Sequence, residues 1–292
     1  MPSLVSIDGR NVPPEEATIS IFDRGFLYGD SVFETLRTYG GLPFALEEHL
    51  QRLARSAARV LITLPVGIEQ IGQEILDTVR AAGNPESYIR VMVTRGRGDS
   101  LGLDPELARQ PRRIVIVMPL EPMPARYYEQ GIGTVTHQTE RIADEADASG
   151  AKLGNYLMSV LAMRAAREAG ADEALILDRS GNVLEGSTSN VFAVVGQTLV
   201  TPPENTAILL GITRARVLQI AAELGLTVEQ RRLPLPELYA ADEAFITSTI
   251  REIVPVVRVD QRSIGSGKPG QTTLALLQSF QQKVRGKVSG YG

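Results

Sequence analysis

Residues 173–195 read EALILDRSGNVLEGSTSNVFAVV, and this stretch decides the fold of the second half of the chain. Two runs rich in apolar and β-branched residues flank DRSGN at 178–182, a set of residues typical of tight turns. The pattern predicts a β-hairpin. Its second strand continues into the Gly- and Ser-rich stretch LEGSTSN at 184–190, which carries one carboxylate, Glu185.

Predicted helices and further strands surround this hairpin. The apolar spacing of 153–170, LGNYLMSVLAMRAAREAG, predicts a helix that ends at Gly170, and 211–225, GITRARVLQIAAELG, predicts another that ends at Gly225. The stretches GIGTVTHQT at 131–139 and EAFITST at 243–249 are typical of strands.

The first part of the chain also mixes both kinds of element. SVFETLRTY at 31–39 and YIRVMVTRG at 88–96 are rich in β-branched and aromatic residues and predict strands. Between them, apolar residues at positions 46, 50, 53, 57 and 60 predict one face of a helix, and 68–83 predicts a second helix that Gly83 ends.

A proline-rich seam separates the two parts. Residues 118–128, MPLEPMPARYY, contain three prolines within six residues, which disfavours both helix and central strand. We therefore predict a small N-terminal domain at 1–118, a linker at 119–128 and a larger C-terminal domain at 129–292. The mixed element order predicts an α/β (α+β) fold rather than a regular Rossmann alternation.

Composition excludes several classes of protein. The chain has 292 residues, 43% of them hydrophobic and 22% charged, and a net charge of −4, which is typical of a globular protein without nucleic-acid partners. No apolar run is long enough to span a membrane, and the first residues do not resemble a signal peptide, so we expect a cytoplasmic protein. Cysteine is absent and the only histidines are His49 and His137, which disfavours a thiol nucleophile or a metal site.

Lys152 stands out among the basic residues. Only four of the 30 Lys and Arg residues are Lys, and Lys152 is the only one within the first 267 positions. A lysine can lose its proton and attack a carbonyl, whereas arginine stays protonated. Together with the Glu185 carboxylate and the helix start at Thr213, which could bind phosphate, it forms the set of groups that pyridoxal phosphate requires.

Six motifs in order resemble the class IV (fold-type IV) pyridoxal-phosphate aminotransferases, the family of branched-chain and D-amino-acid aminotransferases and aminodeoxychorismate lyase. They are FDRGFLYGDSVFETLR at 22–37, YIRVMVTRG at 88–96, AKLGNYL at 151–157, LEGSTSNVF at 184–192, GITRARV at 211–217 and ADEAFITSTIREIVPV at 241–256. The resemblance implies two domains, a small α+β N-terminal domain and a larger mixed, β-barrel-like C-terminal domain.

The resemblance also assigns roles to the cofactor residues. It implies that Lys152 forms the Schiff base and moves the substrate proton, and that Glu185 holds the proton on the pyridine nitrogen. The remaining cofactor residues that it implies are Arg52, Ile212, Thr213 and Thr249 at the phosphate, Tyr156 at the phenolic oxygen, and Thr188. Taken singly, these residues have plainer interpretations: Arg52 could pair with Glu48 one helical turn earlier, and Thr213 could cap a helix.

The substrate is less well defined. By resemblance the pocket is formed by Tyr28, Phe33, Arg37, Tyr88, Arg90, Thr249 and Ile250. An aromatic wall and a nearby arginine favour a branched-chain L-amino acid and 2-oxoglutarate. Departures from the branched-chain pattern, such as FETLR at 33–37 and Ile250-Arg251 after Thr249, leave open a D-amino-acid or (R)-amine transaminase, an aminodeoxychorismate lyase and a non-catalytic homologue.

Relatives of this fold set two subunits against each other, so the resemblance implies a homodimer or a larger homo-oligomer. Tyr28, Arg90 and the 97–104 loop are the candidates for residues that cross between subunits. The partners expected are therefore an amino acid, a 2-oxo acid and a second copy of the chain.

Overall fold

The computed structural model describes residues 3–138 and 150–289, with side chains in the last helix described up to position 284. These residues form two compact units. The first contains the residues up to Glu121 together with Ala151–Tyr156, and the second contains most of the residues from Pro122 onward. The domain bounds 1–118 and 129–292 remain a prediction, and the units differ from them at Ala151–Tyr156, which groups with the N-terminal part.

The first unit is built on a six-stranded antiparallel sheet in the order β2-β1-β6-β5-β3-β4. Its elements are β1 Leu4–Ile7, β2 Arg10–Val12, α1 Arg24–Tyr28, β3 Ser31–Tyr39, β4 Leu42–Pro43, α2 Leu46–Arg59, α3 Ile68–Ala82, β5 Ser87–Thr94 and β6 Arg112–Pro119. The strands predicted at 31–39 and 88–96 and both predicted helices are confirmed.

One core fills the first unit between its sheet and its two long helices. Leu50 and Leu53 of α2 pack with Ile71 and Ile75 of α3, and all four are buried with Val91 of β5. Burial of each such side chain stabilises the fold by about 1.5–3 kcal/mol. Because the apolar residues of α2 recur every three or four positions, one face of this helix covers the sheet while the other remains in water.

The helix predicted at 153–170 begins later than the sequence indicates. The observed helix α5 spans Leu157–Glu168, and Leu153 before it forms a β-bridge with Val32 of β3. Lys152 C=O accepts a hydrogen bond from Phe33 N–H at 3.0 Å, and Gly154 N–H donates to Ser31 C=O at 2.8 Å. Pairing with β3 therefore overrides the local helical pattern, and it fixes the backbone on either side of Leu153.

The second unit is built on a ten-stranded mixed sheet in the order β12-β11-β10-β14-β15-β7-β8-β9-β13, with β16 paired to β15. Its strands are β7 Ile132–Gln138, β8 Glu173–Leu177, β9 Asn182–Gly186, β10 Asn190–Val195, β11 Thr198–Thr201, β12 Thr227–Gln230, β13 Leu233–Pro234, β14 Glu243–Ser248, β15 Glu252–Val259 and β16 Arg262–Ser263. Its helices are α4 Arg126–Glu129, α5, α6 Ile212–Glu223, α7 Leu235–Tyr239 and α8 Gln271–Ser289. The last residue of the strand predicted at 131–139 lies outside the described residues.

The predicted hairpin is confirmed as β8 and β9, which pair antiparallel. Asp178 closes the turn, since its carboxylate accepts hydrogen bonds from the backbone N–H groups of Ser180 and Asn182, both at 2.8 Å. Strand β8 is buried along its whole length because both faces are covered: Ala174 and Ile176 pack with α5, and Leu175 and Leu177 lie in the core on the other side. None of the helices in the described parts of the chain is long and apolar enough to cross a membrane.

Candidate active site

Lys152 lies in the first unit, on the segment Ala151–Tyr156 beside β3. Its Nζ donates a hydrogen bond to the Tyr156 hydroxyl at 3.1 Å and lies 4.6 Å from the centroid of the Phe33 ring. The Lys152 backbone N–H donates to Ser56 Oγ of α2 at 3.1 Å, which fixes the chain at this residue. The lysine amine is therefore held between a phenol and an aromatic face.

One face of β3 and β5 carries most of the predicted substrate residues. Arg37 is directly paired with Tyr88 in the antiparallel register, and Arg90 is paired with Thr35. Because paired residues of antiparallel strands share a face, Phe33, Arg37, Tyr88 and Arg90 all project to the same side. The Arg90 guanidinium lies 3.9 Å from the Phe33 ring centroid, and Phe33 meets Tyr156 edge to face with centroids 5.0 Å apart.

Tyr28 is the predicted substrate residue that ends α1, and it contacts the 97–104 loop. Its hydroxyl accepts a hydrogen bond from Gly102 N–H at 3.2 Å. The same loop is held by Arg24, which donates to the carbonyls of Gly102 and Leu103 at 2.7 and 3.2 Å while its Nε pairs with Asp30 at 2.9 Å. The loop is therefore anchored to α1 through a tyrosine and an arginine.

Arg52, predicted at the cofactor phosphate, forms a buried bidentate pair with Glu34 of β3. Its Nε and Nη2 donate to the two carboxylate oxygens, each at 2.7 Å, and His49 Nδ1 lies 2.7 Å from the same carboxylate. Burial opposes ionisation of Glu34, but the charge and hydrogen bonds of Arg52 outweigh it and lower the pKa of Glu34 to about 2. Burial lowers the pKa of His49, so its ring is neutral at pH 7 and donates from Nδ1.

Neither Glu34 nor His49 is among the site residues predicted from the sequence. The signal was present: Glu34 stands between Val32 and Leu36 on the strand face that packs on α2, where a charge needs a partner. His49 and Arg52 lie three positions apart and therefore on the same side of α2. A charged residue at a core position of a strand, facing a His-x-x-Arg helix, is a detectable pattern.

Glu185 lies in the second unit, near the end of β9, and it is only 8% exposed. Its Oε2 accepts a hydrogen bond from Leu209 N–H at 2.9 Å, which ties the carboxylate to the segment before α6. Thr188 follows in the next turn and is exposed, and its hydroxyl accepts a hydrogen bond from Arg251 Nη2 at 2.9 Å.

The start of α6 fits a phosphate group. Helix α6 has 12 residues and begins after Gly211, without a side chain that caps its N-terminus. The Thr213 hydroxyl is buried there and lacks a hydrogen-bond partner among the described residues. A side chain on Gly211 would not fit, because its Cβ would collide with Asn190 Oδ1. Unpaired N–H groups, a helix dipole and a free hydroxyl together suit an anion, which fits the phosphate of the implied cofactor.

The predicted site residues thus fall into two sets, one in each unit. Lys152, Tyr156 and Arg52 belong to the first unit with the substrate residues of β3 and β5. The second unit contains Glu185, Thr188, Ile212, Thr213, Thr249 and Ile250. In the described parts of the chain, no cluster of three His, Asp or Glu side chains could hold a metal ion.

The chain is similar to proteins of known class over nearly its full length. The sequence profile of the family described as amino-transferase class IV matches residues 31–259. A putative branched-chain-amino-acid aminotransferase of Methanocaldococcus jannaschii is 42% identical over 95% of each chain. A D-alanine aminotransferase of Bacillus licheniformis is 34% identical over 96% of each. The solved structure of a T.th. branched-chain amino acid aminotransferase with pyridoxamine 5'-phosphate superposes with a TM-score of 0.92 at 35% identity, covering 97% of this chain and 94% of that one.

Proposed function

The chain belongs to the class IV aminotransferases, pyridoxal-phosphate-dependent transaminases with the fold-type IV architecture, and we propose that it moves the amino group of a branched-chain L-amino acid to 2-oxoglutarate. The observation that carries the proposal is the placement of the Lys152 amine against Tyr156 and Phe33, on the segment that pairs with β3. Phe33, Arg37, Tyr88 and Arg90, the residues proposed to contact the substrate, project from one face of β3 and β5.

The cofactor, when bound, supplies an electron-withdrawing ring that takes up the electron pair left on the substrate α-carbon. Lys152 is the residue that would hold it and, once displaced by the substrate amine, would move the proton at that carbon. The Tyr156 hydroxyl, 3.1 Å from Nζ, orients the amine.

Glu185 and the start of α6 would hold the two ends of the cofactor ring. The Glu185 carboxylate would keep the proton on the ring nitrogen by Coulomb attraction, and its anchor to Leu209 N–H keeps it in one position. Ile212, Thr213 and Thr249 would bind the phosphate. Arg52, whose guanidinium is held in a fixed orientation by the Glu34 carboxylate, would bind the phosphate together with them.

The substrate preference rests on the character of the β3 and β5 face. Tyr88 supplies apolar surface for a branched side chain, with the buried Phe33 ring packed against Arg90 beside it. Arg37 and Arg90 supply positive charge for a second carboxylate. This arrangement suits an enzyme that alternates between an apolar amino acid and 2-oxoglutarate. The M. jannaschii and T.th. relatives, both named as branched-chain enzymes, support the same choice.

A D-amino-acid transaminase is the second candidate. The D-alanine aminotransferase of B. licheniformis matches 96% of the chain at 34% identity, less than the 42% of the M. jannaschii relative. Ile250 and Arg251 after Thr249 place a large apolar and a charged side chain where the branched-chain pattern has small residues.

The visible spectrum of the purified holoenzyme tests the function. L-leucine and D-alanine are added in parallel without an acceptor, and we expect the cofactor absorption band to be lost with L-leucine. The variant Lys152→Ala should keep its fold and lose this response and all turnover. Lys283→Ala, which removes a surface lysine paired with Glu223, is the matched control and should respond like the wild type.

The outcomes separate the candidates. Loss of the band with D-alanine alone would support the D-amino-acid enzyme. Turnover by Lys152→Ala comparable to that of Lys283→Ala would refute the role of Lys152.

We also propose a homodimer, or a larger homo-oligomer, in the cytoplasm. The first unit exposes large apolar side chains on α1 and the 97–104 loop: Phe26 is 65%, Leu101 67% and Leu103 79% exposed. Apolar groups so concentrated are typical of surfaces that bind another protein. Light scattering on the purified enzyme should give at least twice the 31.6 kDa chain mass, and Leu103→Glu should lower that mass while the second-unit variant Leu224→Glu should not.

A further inference from the structure

Glu173, the first residue of β8, is a fully buried carboxylate in the second unit. One oxygen accepts hydrogen bonds from the backbone N–H groups of Ala174 and Ser187, at 2.9 and 3.2 Å, and from the Ser187 hydroxyl. The other oxygen accepts from the Ser189 hydroxyl at 3.1 Å and from Arg251 Nη2. Donors from three separate segments therefore converge on one side chain.

The charge of this carboxylate is balanced by Arg251. Burial alone would raise the pKa of Glu173, but the charge of Arg251 and the hydrogen bonds from Ser187 and Arg251 hold that pKa below its ordinary value. Glu173 is therefore ionised at pH 7. An ionised buried carboxylate must keep its donors in place, because an unpaired charge in the interior is costly.

The first segment that Glu173 holds is the turn that follows Glu185. Ser187 N–H also donates to Ala174 C=O at 2.9 Å, and Gly186 N–H donates to Ser189 C=O at 2.7 Å. The turn packs so closely that a Cβ on Gly186 would collide with Ser189 Oγ and would lie 3.3 Å from Glu173 Cδ. The direction in which β9 ends, and with it the Glu185 side chain, depends on this contact.

The second segment is the turn between β14 and β15, which carries Thr249 and Ile250. Arg251 closes this turn, since its backbone N–H donates to Ser248 Oγ at 3.3 Å. Its side chain then reaches both Glu173 and the Thr188 hydroxyl. The arginine, 14% exposed, thus joins the turn after β14 to the turn after β9.

We propose that Glu173 and Arg251 are positioning residues that fix the Glu185 turn and the Thr249 turn relative to each other. The inference rests on the proposed function, in which Glu185 holds the ring nitrogen and Thr249 the phosphate of the cofactor. Arg251 contacts both turns, but Glu173 also holds the Glu185 turn through its serine and backbone donors, so the loss of Arg251 should loosen mainly the turn of Thr249. Arg251 therefore connects the turn after Glu185 with the turn that carries Thr249, and the charge of Arg251 is balanced by Glu173.

Cofactor dissociation constants of three variants test the proposal. Pyridoxal phosphate and pyridoxal, which lacks the phosphate, are each titrated into wild type, Glu173→Gln, Arg251→Met and Arg251→Lys, with thermal unfolding of each protein followed in parallel. Glu243→Gln is the matched control, because Glu243 is another carboxylate of the same sheet that accepts three donors, the N–H groups of Thr272 and Thr273 and the Thr273 hydroxyl.

We expect a different pattern from each variant. Glu173→Gln replaces an acceptor oxygen by a donor that faces Arg251 or the serines. It should therefore raise the dissociation constants of both ligands about tenfold. Arg251→Met should raise the dissociation constant of pyridoxal phosphate about tenfold and that of pyridoxal far less. Arg251→Lys should recover part of the phosphate-dependent loss, and Glu243→Gln should change neither constant more than about twofold.

The result that overturns the proposal is a wild-type affinity for both ligands in Glu173→Gln and Arg251→Met, whatever their melting temperatures. Equal losses in Glu243→Gln would also overturn it, since the effect would then follow from stability alone. If Glu173→Gln does not fold, the contrast between Arg251→Met and Arg251→Lys still decides. A wild type that binds neither ligand would instead refute the proposed function itself.

Discussion

Each unit of the molecule contains a buried glutamate paired with an arginine beside the predicted site residues. In the first unit Glu34 receives two hydrogen bonds from Arg52 and faces His49. In the second unit Glu173 receives hydrogen bonds from Arg251, two serines and the backbone. Both carboxylates have a pKa below the ordinary value, and both are inaccessible to water.

The two carboxylates differ in where their donors come from. Those of Glu34 lie three positions apart on one helix, α2, so a single strand–helix contact makes the pair. Those of Glu173 come from its own strand, from the turn after β9 and from the turn after β14. The first arrangement relies on the guanidinium of Arg52 and on His49, while the second adds several neutral donors to the guanidinium of Arg251. We infer that the Glu34 pair is the more fragile of the two.

The largest expected difference is in stability. Arg52→Met leaves the Glu34 charge buried with His49 beside it, and should lower the free energy of unfolding by about 3–5 kcal/mol. Arg251→Met leaves Glu173 with its serine and backbone donors, and should cost about 1–3 kcal/mol. Denaturant unfolding of both variants, followed by circular dichroism, measures the two losses.

Arg55→Met is the control for this comparison, because Arg55 is an exposed residue of the same helix as Arg52. It should change the free energy of unfolding by less than about 0.5 kcal/mol. Equal losses in Arg52→Met and Arg251→Met would show that the number of neutral donors does not matter here.

A smaller effect is expected from acid. The pKa of Glu34 is about 2 in the folded protein and has its ordinary value of 4.5 in the unfolded chain. The contribution of Glu34 to the free energy of unfolding is therefore complete above pH 4.5 and is lost as the pH falls towards 2. The shift corresponds to about 3 kcal/mol. His49, whose pKa is lowered, adds to the loss from about pH 6.5 downward, because the unfolded chain then binds a proton that the folded one does not.

The pH dependence is measured by denaturant unfolding between pH 7 and pH 3, with two variants beside the wild type. Glu34→Gln should flatten the acid loss, since the group that titrates is absent. Glu47→Gln, which removes an exposed carboxylate of α2, should keep the wild-type slope. The same slope in Glu34→Gln and wild type would assign the acid loss to other groups.

The secondary structure was predictable wherever a local pattern coincided with the packing. Strand β3 at 31–39, the apolar face of α2 and the hairpin of β8 and β9 were all predicted from residue spacing and turn residues, and the structure confirms them. The predicted start of α5 was four residues too early, because Leu153 and its neighbours pair with β3. Helical spacing in the sequence could not report that contact, since its partner lies about 120 positions earlier.

The identity of the cofactor and the family followed from the sequence, because six motifs with Lys152 and Glu185 occur in a fixed order. The assignment of individual site residues remains a prediction, although Lys152, Tyr156, Phe33 and Arg90 do lie together in the first unit. The cytoplasmic location and the oligomeric state also remain predictions.

By itself the sequence determined most of the local elements and the family, since these depend on spacing and residue type. Only the tertiary structure decided which charges are buried and what balances them. Glu34 with Arg52 and Glu173 with Arg251 are 18 and 78 positions apart. A buried charge is stable only where donors from other segments converge on it, and that convergence is a property of the packed chain.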